Sequence, residues 1–216
     1  MSNLKVSIVT DAKEETTTFI DGIFSDEMEV LVQTESEMRD SIADINVLVP
    51  GHISVEPDLI KGGSNLKMIH CGTGYNNVDL DAANANGTYV AVTPNVAAQS
   101  VAELVFACFL ALSKKITTFD SMMKGGGWKT TDFIGTPELK GKTLGVVGYG
   151  NIGKASACIA RGFGMNLIAH DPHIEITDDD VRAVSLDELL KESDFITLHV
   201  LLTPDTKGMM STEQFE

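Results

Sequence analysis

Basic side chains are scarce in this sequence. Lysine and arginine number 16 among 216 residues, against 31 aspartates and glutamates, so the formal net charge is −15 at pH 7. A surface of that sign repels nucleic-acid backbones and anionic lipid headgroups. The composition therefore argues against nucleic-acid binding, and we expect no nucleic-acid partner.

Long apolar runs are also missing. No run approaches the roughly 20 residues that span a bilayer. The opening segment, MSNLKVSIVTDAKEE, carries charge too early to form the hydrophobic region of a secretory signal. With 43% hydrophobic and 22% charged residues, the composition is that of an ordinary globular protein. We expect a cytoplasmic protein without a membrane segment.

Cysteine is rare, and the three cysteines are widely spaced. Cys71, Cys108 and Cys158 are far apart in the sequence. No two of them show the C-x-x-C spacing of zinc or redox centres. We interpret them as reduced thiols and expect no metal site.

Five short β-rich segments alternate with polar, helix-compatible stretches over the first hundred residues. These segments are KVSIVT, EVLVQ, INVLVP, LKMIHC and YVAVTP. Consecutive apolar positions, as at 47–49, are typical of parallel strands covered on both faces. The alternation predicts an α/β fold with a layered parallel sheet.

A long helix is predicted after Gln99, where SVAELVFACFLALSKKI contains neither glycine nor proline. Such a helix would bridge two domains. Ser100 and Glu103 have the spacing of a capping box, which places the helix start there. The segment 119–139 includes three consecutive glycines and predicts a surface excursion.

The strongest local signal is KTLGVVGYGNIGKASACIARGFGMNLIAHDP, which has the order of a dinucleotide-binding βαβ unit. An apolar strand runs into a G-x-G-x-x-G motif. Its first glycine allows the tight turn, the second lets main-chain amides approach a pyrophosphate, and the third allows close helix packing. A helix predicted to begin near Asn151 would direct its positive dipole end at the phosphates. The cofactor-binding candidates here are Gly148, Tyr149, Gly150, Asn151, Ile152 and Gly153.

A second predicted strand, over 165–170, ends at Asp171. This acid follows the last glycine by close to the interval of about 20 residues that the motif requires. Its carboxylate is predicted to hold the adenosine ribose hydroxyls and to repel the 2′-phosphate of NADP, which favours NAD. The alternative is a glycine-rich turn followed by a surface acid. Strand, spacing and terminal acid together argue against that alternative.

Four segments, in order, resemble the D-2-hydroxyacid dehydrogenases. LKMIHCGTGYNNVDLDAANANGTYVAVTPN resembles the family's substrate-domain signature, SVAEL its interdomain helix, and ELKGKTLGVVGYGNIG its cofactor loop. SLDELLKESDFITLH is similar to the helix and strand that border the adenine pocket. The resemblance implies a flavodoxin-like substrate domain at 1–97 and an incomplete Rossmann-type domain, with a doubly wound parallel sheet, at 98–216. It also implies an active site in the cleft between them, NAD as cofactor and a small 2-hydroxy or 2-keto acid as substrate.

The resemblance extends to individual site residues. On the substrate side it implies that the main-chain amides of Thr73 and Gly74, together with Asn95, bind the substrate. The alternative is that these residues only turn the chain.

On the cofactor side, the resemblance places His199 beside the adenine portion and Thr203 in the loop that follows. The alternative for His199 is a histidine at a strand end that points to solvent. Leu201 stands where the family usually has proline in H-x-P-L-T, so the shape of this wall departs from the family pattern.

The family's catalytic histidine, glutamate and arginine would all lie downstream of Glu216. The resemblance therefore assigns no catalytic residue to this chain. Ser211 and Gln214 have capping-box spacing, so the last residues are interpreted as the opening of a helix in a truncated chain. The substrate domain would then lack its return helix.

Two functions remain open. One is a truncated NAD-dependent 2-hydroxyacid dehydrogenase that is inactive by itself. The other is a catalytically silent protein that binds NAD or a partner. The resemblance also implies a homodimer formed through the cofactor domain, with the segment 119–139 as an arm.

Overall fold

The structure is a computed structural model that describes residues 4–128, 131 and 135–215. It divides into two compact units, Met1–Pro94 and Asn95–Glu216. Parts of the predicted excursion, at 129–130 and 132–134, lie outside the described residues, as does Glu216.

The first unit is built on a parallel sheet of five strands. These are β1 (Leu4–Val9), β2 (Met28–Gln33), β3 (Val47–Val49), β4 (Met68–His70) and β5 (Tyr89–Ala91). Their order is β2-β1-β3-β4-β5, and every neighbouring pair is parallel. This is the flavodoxin-like order. The fold predicted for this part of the chain is confirmed, and each predicted β-rich segment forms a strand.

Helices cover the faces of this sheet and bury its apolar side chains. They are α1 (Lys13–Ile20), α2 (Glu35–Ser41), α3 (Pro57–Gly62) and α4 (Leu80–Asn86), with a short 3-10 turn at Ile42–Asp44. Leu48 and Ile69, at the centres of β3 and β4, are fully buried. Asp79 is the N-cap of α4, and its carboxylate accepts the Ala82 N–H at 2.8 Å, which stabilises the start of this helix.

The second unit contains a parallel sheet of four described strands. They are β6 (Thr143–Val147), β7 (Asn166–His170), β8 (Val181–Ala183) and β9 (Phe195–Leu198). Their order, β8-β7-β6-β9, is that of the first four strands of a Rossmann sheet. β7 and β8 lie on one side of β6, and β9 lies on the other side. The topological switch point of the sheet is therefore between β6 and β9. In open α/β sheets, ligands bind outside the carboxyl ends of strands at such a point.

The helices of the second unit are α5 (Ala98–Ser113), α6 (Ile116–Lys124), α7 (Asn151–Gly162), α8 (Leu186–Glu192) and α9 (Thr212–Phe215). α7 begins at Asn151, as predicted. α5 packs on α7, with the ring of Phe106 stacked on that of Phe163 at 5.3 Å between centroids. None of the described helices is both long and apolar enough to cross a bilayer. At the end of the chain, the N–H of Ser211 donates to Gln214 at 2.9 Å, which is one half of the predicted capping box.

The helix predicted after Gln99 is present as α5, but it ends at Ser113, whereas the predicted stretch continued to Ile116. Lys115 adopts a left-handed conformation, with φ +51°, and separates α5 from α6. The predicted capping box at Ser100 is wrong, because the N-cap of α5 is Ala97, three residues earlier, and Ser100 already lies in the first turn. Glu103 instead accepts a hydrogen bond from the Gln99 side chain at 2.8 Å.

Candidate functional site

The glycine loop begins where β6 ends. Gly148 has φ +90°, a conformation that disfavours side chains. A Cβ at this position would also lie 2.7 Å from the main-chain carbonyl carbon of His199, at the end of β9. The N–H of Gly148 donates to the carbonyl of His170 at 2.8 Å. The loop therefore lies against both neighbouring strands, and only glycine fits at its start.

The third glycine of the motif lets α7 pack closely on the loop. A Cβ on Gly153 would lie 2.3 Å from the carbonyl oxygen of Gly148 and 3.1 Å from Cγ1 of Val146. Both distances are too short for a methyl group to be accommodated without displacing the chain. The packing role predicted for this glycine matches the geometry.

The second glycine, Gly150, differs from the other two, because neither its backbone conformation nor a close contact requires glycine there. Gly150 is the N-cap of α7 and has φ −76°, which any residue adopts. Among the residues that the structure describes, a Cβ there would meet only Cδ1 of Ile174, at 3.9 Å. The open space lies in front of the first turn of α7, where main-chain N–H groups have no partner within the helix. This cradle fits an anionic group that approaches the backbone closely.

Tyr149 contributes its main chain to this loop and its side chain to the core. The ring is fully buried, and the hydroxyl donates to Oδ2 of Asp178 at 2.5 Å. Burial, and then the bond to Asp178, raise the pKa of the Tyr149 phenol, so the hydroxyl stays protonated. The main-chain N–H donates to Asp171 at 2.8 Å. Only the backbone of Tyr149 is therefore placed to face a ligand in the loop.

Asp171 follows β7 directly, and both of its carboxylate oxygens are held by main-chain donors. Oδ2 accepts the N–H of Tyr149, and Oδ1 accepts those of His173 and Ile174 at 2.9 and 3.0 Å. Burial tends to raise the pKa of Asp171, but these three donors outweigh it and lower the pKa below its usual value. The structure thus fixes an ionised carboxylate beside the glycine loop.

His199 directly follows β9, and it is half-buried. Its Nε2 lies 2.9 Å from Oγ1 of Thr197 and 3.2 Å from Oγ of Ser156, a fully buried residue of α7. Burial lowers the pKa of His199, so the ring is neutral at pH 7. The ring is therefore held by the protein and not extended freely into solvent. Neither Ser156 nor Thr197 was predicted. The one signal in the sequence was that Thr197, two residues before His199, lies on the same face of the strand.

The loop after β9 is ordered by a turn of its own. The N–H of Thr203 donates to the hydroxyl of Thr206 at 2.8 Å, and the carbonyl of Thr203 accepts the N–H of Lys207 at 2.9 Å. Leu201, at the position of the family's usual proline, is exposed. The loop follows β9, and the contact of Thr203 with the cofactor stays a prediction.

In the first unit, the loop after β4 carries the two predicted substrate-binding amides. Thr73 is exposed and Gly74 is half-buried beside it. The carbonyl of Gly72 accepts the N–H of Thr93 at 2.8 Å, and the Thr93 hydroxyl lies 2.9 Å from Nε2 of His70. These contacts tie the loop to the carboxyl end of β5.

Asn95, the third predicted substrate-binding residue, belongs to the second unit. It has φ +72° in a turn before α5, where its carbonyl accepts the N–H of Ala98 at 3.2 Å. Asparagine tolerates this left-handed conformation better than most residues. The structure therefore explains Asn95 as a turn residue, and its part in substrate binding stays a prediction.

Residues 106–216 match the sequence profile of the family described as D-isomer specific 2-hydroxyacid dehydrogenase, NAD binding domain. The chain belongs to this family. The matched residues include the glycine loop, Asp171, β9 and His199, which follows β9. NAD, which the sequence predicted, is confirmed as the cofactor at the level of the family.

Individual members of the family extend the likeness to the first unit. The chain is 42% identical to hydroxypyruvate reductase of Thermotoga maritima over 181 residues, which cover 83% of this chain and 59% of the relative. It is 40% identical to D-3-phosphoglycerate dehydrogenase of Methanocaldococcus jannaschii over 187 residues, or 84% of this chain and 36% of the relative. The chain thus spans less than two thirds of each relative.

Among solved structures, the fold is similar to that of D-lactate dehydrogenase from Aquifex aeolicus complexed with NAD and lactic acid. The TM-score is 0.83 at 28% identity, over 97% of this chain and 64% of that one. The α/β fold and the membership of this dehydrogenase family, both predicted from the sequence, are confirmed.

Proposed function

We propose that this chain forms the NAD-binding and substrate-binding parts of a dehydrogenase that interconverts a D-2-hydroxy acid and a 2-keto acid. The observation that carries the proposal is the open position at Gly150, which faces the start of α7 beside the ionised carboxylate of Asp171. No contact within the described part of the chain requires glycine at this position. A catalytically silent NAD-binding protein would use the same loop, so only a measurement of activity distinguishes the two functions.

Each part of the cofactor loop has its own role in the proposal. The main-chain N–H groups from Gly150 to Gly153 hold the pyrophosphate at the N-terminus of α7. Asp171 accepts the adenosine ribose hydroxyls and disfavours a 2′-phosphate by charge repulsion. Bound NAD would accept or return the hydride of the substrate carbon. His199 and Thr203, which follow β9, form the wall on the other side of the loop.

The first 97 residues are the proposed substrate domain, and residues 98–216 the proposed NAD-binding domain. The main-chain amides of Thr73 and Gly74 are proposed to bind the substrate carboxylate, with Asn95 as a further contact. Glycine at position 74 lets a ligand approach the backbone. The names of the relatives, hydroxypyruvate reductase and D-3-phosphoglycerate dehydrogenase, point to small oxygenated carboxylic acids as the substrate class.

A homodimer through the NAD-binding domain is proposed for the assembled protein. α5, α6 and the residues after them expose a set of large apolar side chains: Leu104, Leu112, Ile116, Met123 and Trp128. Exposed apolar groups that recur within one segment are characteristic of protein interfaces. Part of the predicted arm, 119–139, belongs to this surface.

The test has two stages. NADH binding to the purified chain is measured by the change in nicotinamide fluorescence. Absence of binding would contradict the proposal. NADH oxidation is then followed with glyoxylate, hydroxypyruvate and pyruvate, using this chain and any version extended beyond Glu216. Activity with one of these acids supports the dehydrogenase, whereas binding without activity in both versions supports the silent NAD-binding protein.

A further inference from the structure

The ten-residue segment 171–180 is tied to the glycine loop at two points, and Tyr149 makes both contacts. Its main-chain N–H donates to Asp171 at the start of the segment, at 2.8 Å. Its hydroxyl donates to Asp178 near the end of the segment, at 2.5 Å. Because the ring between these two groups is fully buried, Tyr149 links the ends of the segment rigidly.

The far end of the segment is also fixed by α7. Arg161, in the last turn of that helix, donates from Nε and Nη2 to the two carboxylate oxygens of Asp180, at 2.5 and 2.7 Å. Its guanidinium lies 3.8 Å from Asp178 as well. The helix that starts at the glycine loop therefore returns to the segment and balances part of its negative charge.

The middle of the segment forms a wall beside the open position of the loop. Ile174 donates its N–H to Asp171 at 3.0 Å. Its Cδ1 is the nearest atom to the place that a Cβ on Gly150 would take, at 3.9 Å. The position of this wall thus depends on where Asp171 is held, and Asp171 depends in turn on Tyr149.

We propose that Asp178 is a positioning residue for the cofactor and acts through Tyr149. By accepting the buried hydroxyl, Asp178 fixes the Tyr149 main chain, and the Tyr149 N–H then sets the orientation of the Asp171 carboxylate. A carboxylate held in one orientation binds the ribose hydroxyls well and excludes a 2′-phosphate. A mobile carboxylate binds the hydroxyls more weakly and excludes the phosphate less effectively. Asp178 therefore contributes to the preference for NADH over NADPH. This inference rests on the proposed function of the loop.

The experiment measures NADH and NADPH dissociation constants by fluorescence titration, together with the melting temperature without cofactor. Tyr149→Phe removes the donor and Asp178→Ala the acceptor. Each should weaken NADH binding by about fivefold, because the loss of one typical hydrogen bond corresponds to a change of that size. NADPH binding should change less, so the ratio of the NADPH dissociation constant to the NADH dissociation constant should decrease. Asp178→Asn keeps an acceptor oxygen and should restore part of the preference.

Two further variants make the test specific. Asp179→Ala removes the neighbouring carboxylate, which has no hydrogen-bond or ion-pair partner among the residues that the structure describes, and should leave the ratio unchanged. The double variant, which combines Tyr149→Phe with Asp178→Ala, should bind NADH as well as whichever single variant has the lower affinity. The two substitutions remove the same hydrogen bond, so their effects should not add.

The outcomes separate this inference from the proposed function. If the unaltered chain binds no NADH, the proposed function fails and the inference falls with it. If the chain binds NADH but Tyr149→Phe and Asp178→Ala lower only the melting temperature and keep the NADH-to-NADPH ratio, Asp178 is merely structural and the inference is overturned. An equal narrowing in Asp179→Ala would overturn it too, because charge alone would then explain the effect.

Discussion

The carbonyl oxygen of Gly148 and the α-carbon of Gly153 approach so closely that a Cβ on Gly153 would lie 2.3 Å from that oxygen. This contact holds the first turn of α7 on the end of β6. A Cβ on Gly150, between the two, would meet no atom of the described residues at a comparable distance. The glycines of this motif therefore have different roles. Substitutions at Gly150 and Gly153 should distinguish a role in ligand binding from a role in packing.

Gly153→Ala should destabilise the fold. The added methyl group must displace either the helix or the loop, and such overpacking costs about 1–3 kcal/mol in the free energy of unfolding. Urea denaturation of the variant and of the unaltered chain measures the difference. Equal midpoints in the two proteins would contradict the packing role of Gly153.

Gly150→Ser should leave the fold intact and impair NADH binding. Serine is a favourable N-cap, and its Cβ has room, so the midpoint of urea unfolding should be equal or higher. The same Cβ occupies the space that a pyrophosphate requires, so NADH affinity should fall by about tenfold or more. Unchanged affinity in a fluorescence titration would show that no ligand approaches the backbone at this position.

His199 should make stability depend on pH. Burial lowers its pKa below the usual 6.5, so the unfolded chain binds the proton more readily than the folded one. Stability therefore falls as the pH is lowered through 6.5 towards the folded-state pKa, and rises with pH over the same window. His199→Gln retains hydrogen-bonding groups but does not titrate, so this part of the pH dependence should disappear. Urea unfolding of both proteins between about pH 5 and pH 8 measures the difference, and parallel curves would contradict the assignment.

Leu112→Glu should weaken the proposed homodimer. Leu112 is 77% exposed on α5, so a charge there costs the isolated chain little, but it must be desolvated in an interface. Phe19→Glu is a matched control, because Phe19 is 78% exposed in the other unit. Light scattering over a range of concentrations should show dissociation of the Leu112 variant alone. Identical masses for both variants and the unaltered chain would argue against this interface.

The strands of the first unit and the start of α7 could be predicted because their signals are local. Runs of apolar residues marked every strand of the first unit, and glycine spacing marked the turn after β6. The order of the strands in each sheet has no local signature, and it followed from the family resemblance. The break at Lys115 could not be predicted, because lysine carries no preference for the left-handed conformation it adopts there.

The site was predicted in part for the same reason. The glycines and Asp171 stand at a recognisable interval, so their proximity could be inferred. The hydroxyl of Tyr149 meets Asp178, and Nε2 of His199 lies near Ser156, only after distant segments have folded together. Such pairs leave no periodic pattern in a single sequence.

The contact between Gly148 and the backbone of His199 also has a consequence for the order of folding. The two residues are separated by about fifty positions, and contacts of such separation form late because a long loop must close first. The motif and its helix are synthesised well before β9, yet the loop gains its second supporting strand only when β9 docks. Recovery of NADH fluorescence during refolding should therefore follow the completion of the sheet and lag behind the helical signal in circular dichroism.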